Sequence, residues 1–304
     1  MFAITSLATS IDLSDAGRTG KAVTAGAANT KGDYAEMIAA LPDAADHLFY
    51  KITHVAGSGA DTGAFLDVAT GAAASESIIV PDLNVGQAGG GIAPSGKFGP
   101  LPVAVADGAR LSARVQTVPG STAPLLSLWA VAGVHITPPS SLTAYGVNTT
   151  TGRGVSVAGG DSAYGSAVEI GTLSADANIF KIQLDAFGDL ALGAGDDDEC
   201  VVQIGYGPDS GNITWLGIPT GADEDTAVGG VLFGYSTSEE VLGPWPYDTF
   251  YAEVDSGQKL WARLAAGGTT ARGISIHAGL GTLISEGGGG LALAPIGHDI
   301  VVTL

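Results

Sequence analysis

Gly91-Ile-Ala-Pro-Ser-Gly-Lys-Phe98 comes within one residue of a phosphate-binding loop. Such a loop needs Ser or Thr after the lysine to hold magnesium, and a helix whose amino end faces the phosphates. Phe98 takes that place and Gly99-Pro100 follows, which stops a helix, so the stretch reads as a surface loop. Asp61-Thr-Gly63 carries the wording of half an aspartic-protease dyad. That mechanism needs two carboxylates sharing a proton, and no second Asp-Thr-Gly exists, so a turn is expected. Gly160-Asp-Ser162 offers a serine, with only His298-Asp299 suggestive as a partner, and it also reads as a turn. The acidic runs Asp196-Asp-Asp-Glu199 and Asp223-Glu-Asp225 lack the alternate spacing and following glycine that converge oxygens on calcium. They are expected to be solvated loops.

Aromatic and cationic residues make the stronger candidates. Trp215, Trp245, Trp261 and Tyr247 fall in the second half of the chain and could supply stacking platforms for a sugar. Alternation puts Trp261 on the polar side of its strand, opposite Leu260 and Ala262, where a stacking ring would sit. Covering a subunit interface or a loop is the plainer role for that ring. Arg114 and Arg263 occupy matching outward positions on two strands, which suits a cross-strand salt bridge or a sheet-edge contact, with ligand binding as the alternative. The histidines are scattered, and His277 stands where the other half has Trp129. Nucleophile, base and oxyanion donors do not assemble, so no enzyme, cofactor or metal site is expected.

The elements that would hold these residues are written twice. Phe98-Gly-Pro-Leu-Pro102, Asp107-Gly-Ala-Arg-Leu-Ser-Ala-Arg-Val115 and Leu126-Ser-Leu-Trp-Ala130 return as Leu242-Gly-Pro-Trp-Pro246, Asp255-Ser-Gly-Gln-Lys-Leu-Trp-Ala-Arg-Leu264 and Ile274-Ser-Ile-His-Ala278. Further back, Gly20-Lys-Ala-Val-Thr24 answers to Gly152-Arg-Gly-Val-Ser156, and Gly32-Asp-Tyr-Ala-Glu-Met37 to Gly165-Ser-Ala-Val-Glu-Ile170. His47-Leu-Phe49 is matched to Asn178-Ile-Phe180. The repeat has the length of a domain rather than of a solenoid unit.

Each copy alternates with period two. Leu111, Ala113 and Val115 face one way, and Leu260, Ala262 and Leu264 repeat them. Short β-branched or aromatic runs, separated by Gly, Pro, Asp or Ser, predict an all-β chain of two tandem, internally duplicated antiparallel β-sandwich domains of jelly-roll type. Tyr34 to Leu41 could compete as a helix, but its counterpart Ala167 to Leu173 is a poor helix former, so both are expected as strands. The expected limits are 1–137 for the first sandwich, 138–144 for a Pro/Ser linker, 145–283 for the second sandwich and 284–304 for a Gly-rich arm with a terminal strand. That arm could pair with its own domain or donate an edge to a neighbour.

Composition bounds the partners. Of 304 residues, 31 are Asp or Glu and 12 Lys or Arg, a net charge of −19 that repels phosphate backbones and anionic lipid. Nucleic acid and membrane are therefore not expected partners; no run approaches the length of a membrane span, and the first ten residues lack the basic start of a secretory signal. Forty-seven glycines favour turns and short strands. The single cysteine, Cys200, excludes an intramolecular disulfide and reads as a small core residue beside Val201 and Val202.

Ala25-Gly-Ala-Ala-Asn-Thr-Lys-Gly32, Thr70-Gly-Ala-Ala-Ala-Ser-Glu-Ser-Ile-Ile-Val-Pro81 and Gly99-Pro-Leu-Pro-Val-Ala-Val-Ala-Asp-Gly-Ala-Arg-Leu-Ser-Ala-Arg114 resemble a group of tailed-bacteriophage virion proteins encoded among tail and tail-fibre genes. The resemblance covers most of the first copy and the skeleton of the second. It implies a non-enzymatic component of a phage particle, tail or tail-fibre associated, assembled in the bacterial cytoplasm with other virion proteins and as a homo-oligomer. A capsid decoration or cement protein, and a module gripping host surface glycan, are the alternatives.

Overall fold

Alternation becomes strand throughout: in the computed structural model no helix occurs among the described residues, which are 5–10, 20–54, 64–84, 101–118, 120, 123–132, 136–150, 153–161, 163–184, 200–216, 231–233, 249–266 and 271–283. The all-β expectation holds, and Ala35–Ile38, in the stretch that could compete as a helix, is a strand.

The first half contains β1 (Thr5–Ser10), β2 (Lys21–Ala22), β3 (Ala35–Ile38), β4 (Ala45–His54), β5 (Ala64–Thr70), β6 (Ser77–Asn84), β7 (Leu101–Val105), β8 (Leu111–Thr117) and β9 (Leu125–Ala132). One sheet runs β1-β9-β4-β7, with β2 also on β9; the other runs β3-β8-β5-β6. With β1 and β2 counted as one strand, this alternation between two sheets is the jelly-roll order. Leu48, Tyr50, Leu126 and Leu128 of the first sheet meet Leu66, Val80, Leu111 and Val115 of the second in a single core. Burying such side chains, each worth roughly 1.5–3 kcal/mol, is what holds the layers together.

The second half adds β10 (Ile136–Thr137), β11 (Thr143–Tyr145), β12 (Val147–Asn148), β13 (Arg153–Asp161), β14 (Val168–Thr172), β15 (Ala177–Leu184), β16 (Cys200–Gly207), β17 (Thr214–Leu216), β18 (Val231–Phe233), β19 (Thr249–Val254), β20 (Lys259–Ala266), β21 (Ala271–Gly279) and β22 (Thr282–Leu283). The order of the first half returns as β13-β21-β15-β19 and β14-β20-β16-β17, with β11 on β21 as β1 is on β9. The two sheets are not separate here, however. β13 pairs antiparallel with β21 from Val155 to Ala158, then parallel with β20 from Gly159 to Asp161. One strand thus stitches both layers into a continuous path, and one pairing departs from the antiparallel expectation. The chain turns tightly just after this strand, since a Cβ on Gly160 would stand 2.4 Å from the Ala163 carbonyl oxygen.

Individual hydrogen bonds recur as well. Gly32 N–H donates to Val115 O and Gly165 N–H to Leu264 O, both at 2.9 Å. Leu41 and Ala109 exchange with Gly108 as Leu173 and Gln258 do with Gly257, and both glycines have positive φ, 70° and 84°. The register corrects two of the sequence matches. Leu48 pairs with Ala130 and Phe180 with Ala278, so Phe180 answers to the core residue Leu48 rather than to half-buried Phe49. A slip of one residue exchanges the faces of a strand. Likewise Lys21 pairs with Leu126 and Val155 with Ile274, which makes Gly20 the counterpart of Gly154, not of Gly152.

The Pro-rich stretch expected as a linker is packed into both halves. Pro139 O accepts from Ala104 N–H of β7, Leu142 N–H donates to Ile79 O of β6, and Leu142 lies in the first core. β11 follows at once and joins the second half. Two further bonds cross between halves: Gln116 Nε2 donates to Thr149 O at 2.7 Å, and His277 Nε2 lies 2.6 Å from Pro81 O. Pro81 is tolerated in β6 because that strand forms the edge of its sheet.

Candidate functional site

In each half the outer face of the sheet built on β8 or β20 carries an arginine brought opposite its partner by strand register. In the first half Arg114 faces Asp67 across β8 and β5, with Nε 2.8 Å from Oδ2. Lys31 Nζ reaches Asp67 Oδ1 at 2.7 Å and Asp82 Oδ1 at 2.9 Å, and Asp82 N–H donates to Asp67 Oδ1 at 2.8 Å. Tyr34 lies under the Arg114 guanidinium, 4.7 Å from it to the ring centre. Asp67 is 2% exposed, so its charge needs this full set of partners. Burial alone would raise its pKa; the Lys31 charge and the bonds from Asp82, Lys31 and Arg114 outweigh burial and hold it below the ordinary value. Asp82 adopts φ 45°, a left-handed conformation that Asp tolerates better than most side chains, and its N–H is aimed at the carboxylate. The cross-strand salt bridge expected for Arg114 is present.

In the second half Gln203 stands opposite Arg263 and accepts from its Nε at 2.8 Å. Neutral Gln203 leaves the guanidinium charge to two rings, Tyr164 and Trp215, each centred 4.2 Å away. Burial pushes the Tyr164 hydroxyl up to about 12 against the pull of Arg263, so it remains a neutral donor. Among the described residues no carboxylate is paired with Arg263, and a half-buried stack stands where the first half has its ion pair.

Of the two roles weighed for Trp261, the geometry disfavours the open platform. Trp261 does lie on the outward side of β20, yet it is only 7% exposed and donates from Nε1 to Gly207 O at 3.0 Å. Gly205 is opposite Trp261 on one side and Trp215 on the other, and a Cβ there would meet Trp215 Cε3 at 2.9 Å. The glycine lets two indoles share the sheet surface, which buries one of them. Trp261 is therefore no open stacking platform, whereas Trp215 is half-exposed. Beside them Lys259 bridges to Glu169 at 2.7 Å, as Arg110 bridges to Glu36 at 2.9 Å in the first half.

Trp245, Tyr247, the loop of Gly91 to Phe98, Asp61 to Gly63, Ser162, both acidic runs and His298-Asp299 lie outside the described residues, as does the arm of 284–304. Among the described residues no group of three or more His, Cys, Asp or Glu could hold a metal ion. Sequence reasoning missed Tyr164, Gln203, Lys31 and Asp67; only the last is legible, as a lone acid inside the apolar run Phe65 to Ala69. No protein-family model and no curated protein matches the chain, so the phage resemblance rests on the residues quoted for it.

Proposed function

We propose that this chain is a non-enzymatic structural subunit of a tailed-phage particle, acting through protein–protein assembly and associated with the tail or its fibres. The observation that carries the reading is the recurrence of one jelly-roll strand order in two halves joined by a hydrogen-bonded, core-filling connector. Jelly rolls serve in viral shells, among other roles, and a stiff tandem body suits repeated packing on a particle. Closed ion-pair networks on the sheet face of the first half act as bracing for such a body. Immunogold labelling of intact particles tests it with antibody to the recombinant chain. Label at the tail supports the reading, label spread over the head makes the chain a decoration protein, and unlabelled particles overturn both.

A glycan-binding module is the second reading, favoured by half-exposed Trp215 beside Tyr164 and Arg263. Trp215→Ala should then lose binding to host surface polysaccharide and leave particles intact; lost assembly with unchanged glycan binding would count against it.

A further inference from the structure

His277 is 0% exposed at the seam between the halves, and its ring is bonded across that seam to a backbone carbonyl. A carbonyl only accepts, so Nε2 must carry the proton, and neutral His277 then presents a bare lone pair at Nδ1. Nδ1 is buried and has no hydrogen-bond partner among the described residues. On β15, Lys181 stands directly opposite and is 1% exposed. β6 brings Asp82 beside the accepting Pro81, and β5 brings Asp67, whose charges are engaged by Lys31 and Arg114. β11 places Ala144 opposite His277 and contributes no carboxylate.

We propose that His277 is an acid-sensitive latch between the two halves: protonation at Nδ1 disfavours the closed seam and opens the β6–β11–β21 contact. A second proton would put a charge in a fully buried position opposite Lys181, with a new donor and no acceptor for it among the described residues. Opening hydrates the imidazolium and removes that penalty. The direction agrees with the effect of burial, which lowers the ring's pKa from 6.5 to about 4 despite the upward pulls of Pro81 O, Asp82 and Asp67. The sign follows: the open form binds the proton near 6.5 and the closed form near 4, so closure is favoured above that window and weakened as pH falls through it. Each pH unit inside the window shifts the open-to-closed ratio about tenfold.

Hydrogen exchange of the full chain at pH 7.0 and 4.5, corrected for intrinsic rates, tests the latch. Protection over β6 and β11 should fall in the wild type at low pH by about a hundredfold, against little change in the β8–β5 pairing. His277→Gln keeps an N–H for Pro81 O but cannot titrate, so its seam should stay equally protected at both values. Unchanged wild-type protection, or the same acid loss in His277→Gln, overturns the proposal. Should the variant not fold, the imidazole shift of His277 in the wild type decides: titration near 4 supports the latch, and titration near 6.5 overturns it.

Discussion

At the scale of residues, the two arginine clusters show how one position is solved with and without an acid. Asp67 is answered by two cations and a backbone N–H, so Asp67→Ala should leave Arg114 without its carboxylate and Lys31 with Asp82 alone, and cost about 1–3 kcal/mol, read from denaturant midpoints. The penalty has a pH signature. Because the folded pKa of Asp67 lies below 3.8, its stabilisation is complete above that value and is lost as pH falls through the folded pKa. The gap between wild type and Asp67→Ala should therefore stay constant from pH 7 to pH 5 and narrow only in stronger acid; a gap already closed at pH 5 would refute the assignment. In the second half Gly205→Ala presses a methyl against Thr214 O at 2.7 Å and against the Trp215 ring. We expect a loss of about 1–3 kcal/mol and red-shifted indole emission. An unshifted spectrum at full stability would show that the indoles do not depend on that glycine.

At the scale of elements, what sequence reveals is face, and what it hides is register. Leu111, Ala113 and Val115 point inward as alternation requires, and their counterparts Leu260, Ala262 and Leu264 do the same. The repeat itself was legible in its turns, because a positive φ at Gly108 and at Gly257 demands the same residue twice. His47 to Phe49 misled because Leu48 and Phe49 are both apolar, and only pairing with β9 tells which one enters the core. For Trp261 alternation gives the correct side of the sheet and says nothing of what lies over it. A glycine opposite it was the available sign. Two matching glycines in tight backbone approaches give an element-scale prediction. A Cβ at Gly32 would lie 2.0 Å from Thr24 O, and at Gly165 2.5 Å from Ala158 O. Gly32→Ala and Gly165→Ala should each lower the thermal midpoint sharply, while Gly108→Ala, with open space around it, should cost only the strain of its φ, about 1 kcal/mol. Equal losses at all three would deny these close approaches their steric basis.

At the scale of the whole molecule, the halves share a connector, a core residue and two polar bonds. They should consequently unfold together near neutral pH. Variants keeping only Trp129, in the first half, or only Trp261, in the second, should report coincident denaturant midpoints. Two separated transitions would mean that the seam contributes little. None of this coupling was legible beforehand, since Pro81 and His277 stand 196 residues apart and leave no local pattern.

That separation has a consequence for synthesis. The first core is completed by Leu142, which belongs to the strand-leading segment of the second half, so the amino-terminal body leaves the ribosome without its last piece. The Pro81 carbonyl waits longer still. At ordinary elongation rates of about 5–20 residues per second, the 196 residues to His277 take roughly 10–40 seconds to arrive. Through that interval β6, the edge strand of its sheet, can take Leu142 N–H on Ile79 O but not yet the His277 ring on Pro81 O. For this chain the rate at which the second half is delivered sets how long the Pro81 carbonyl waits for its partner.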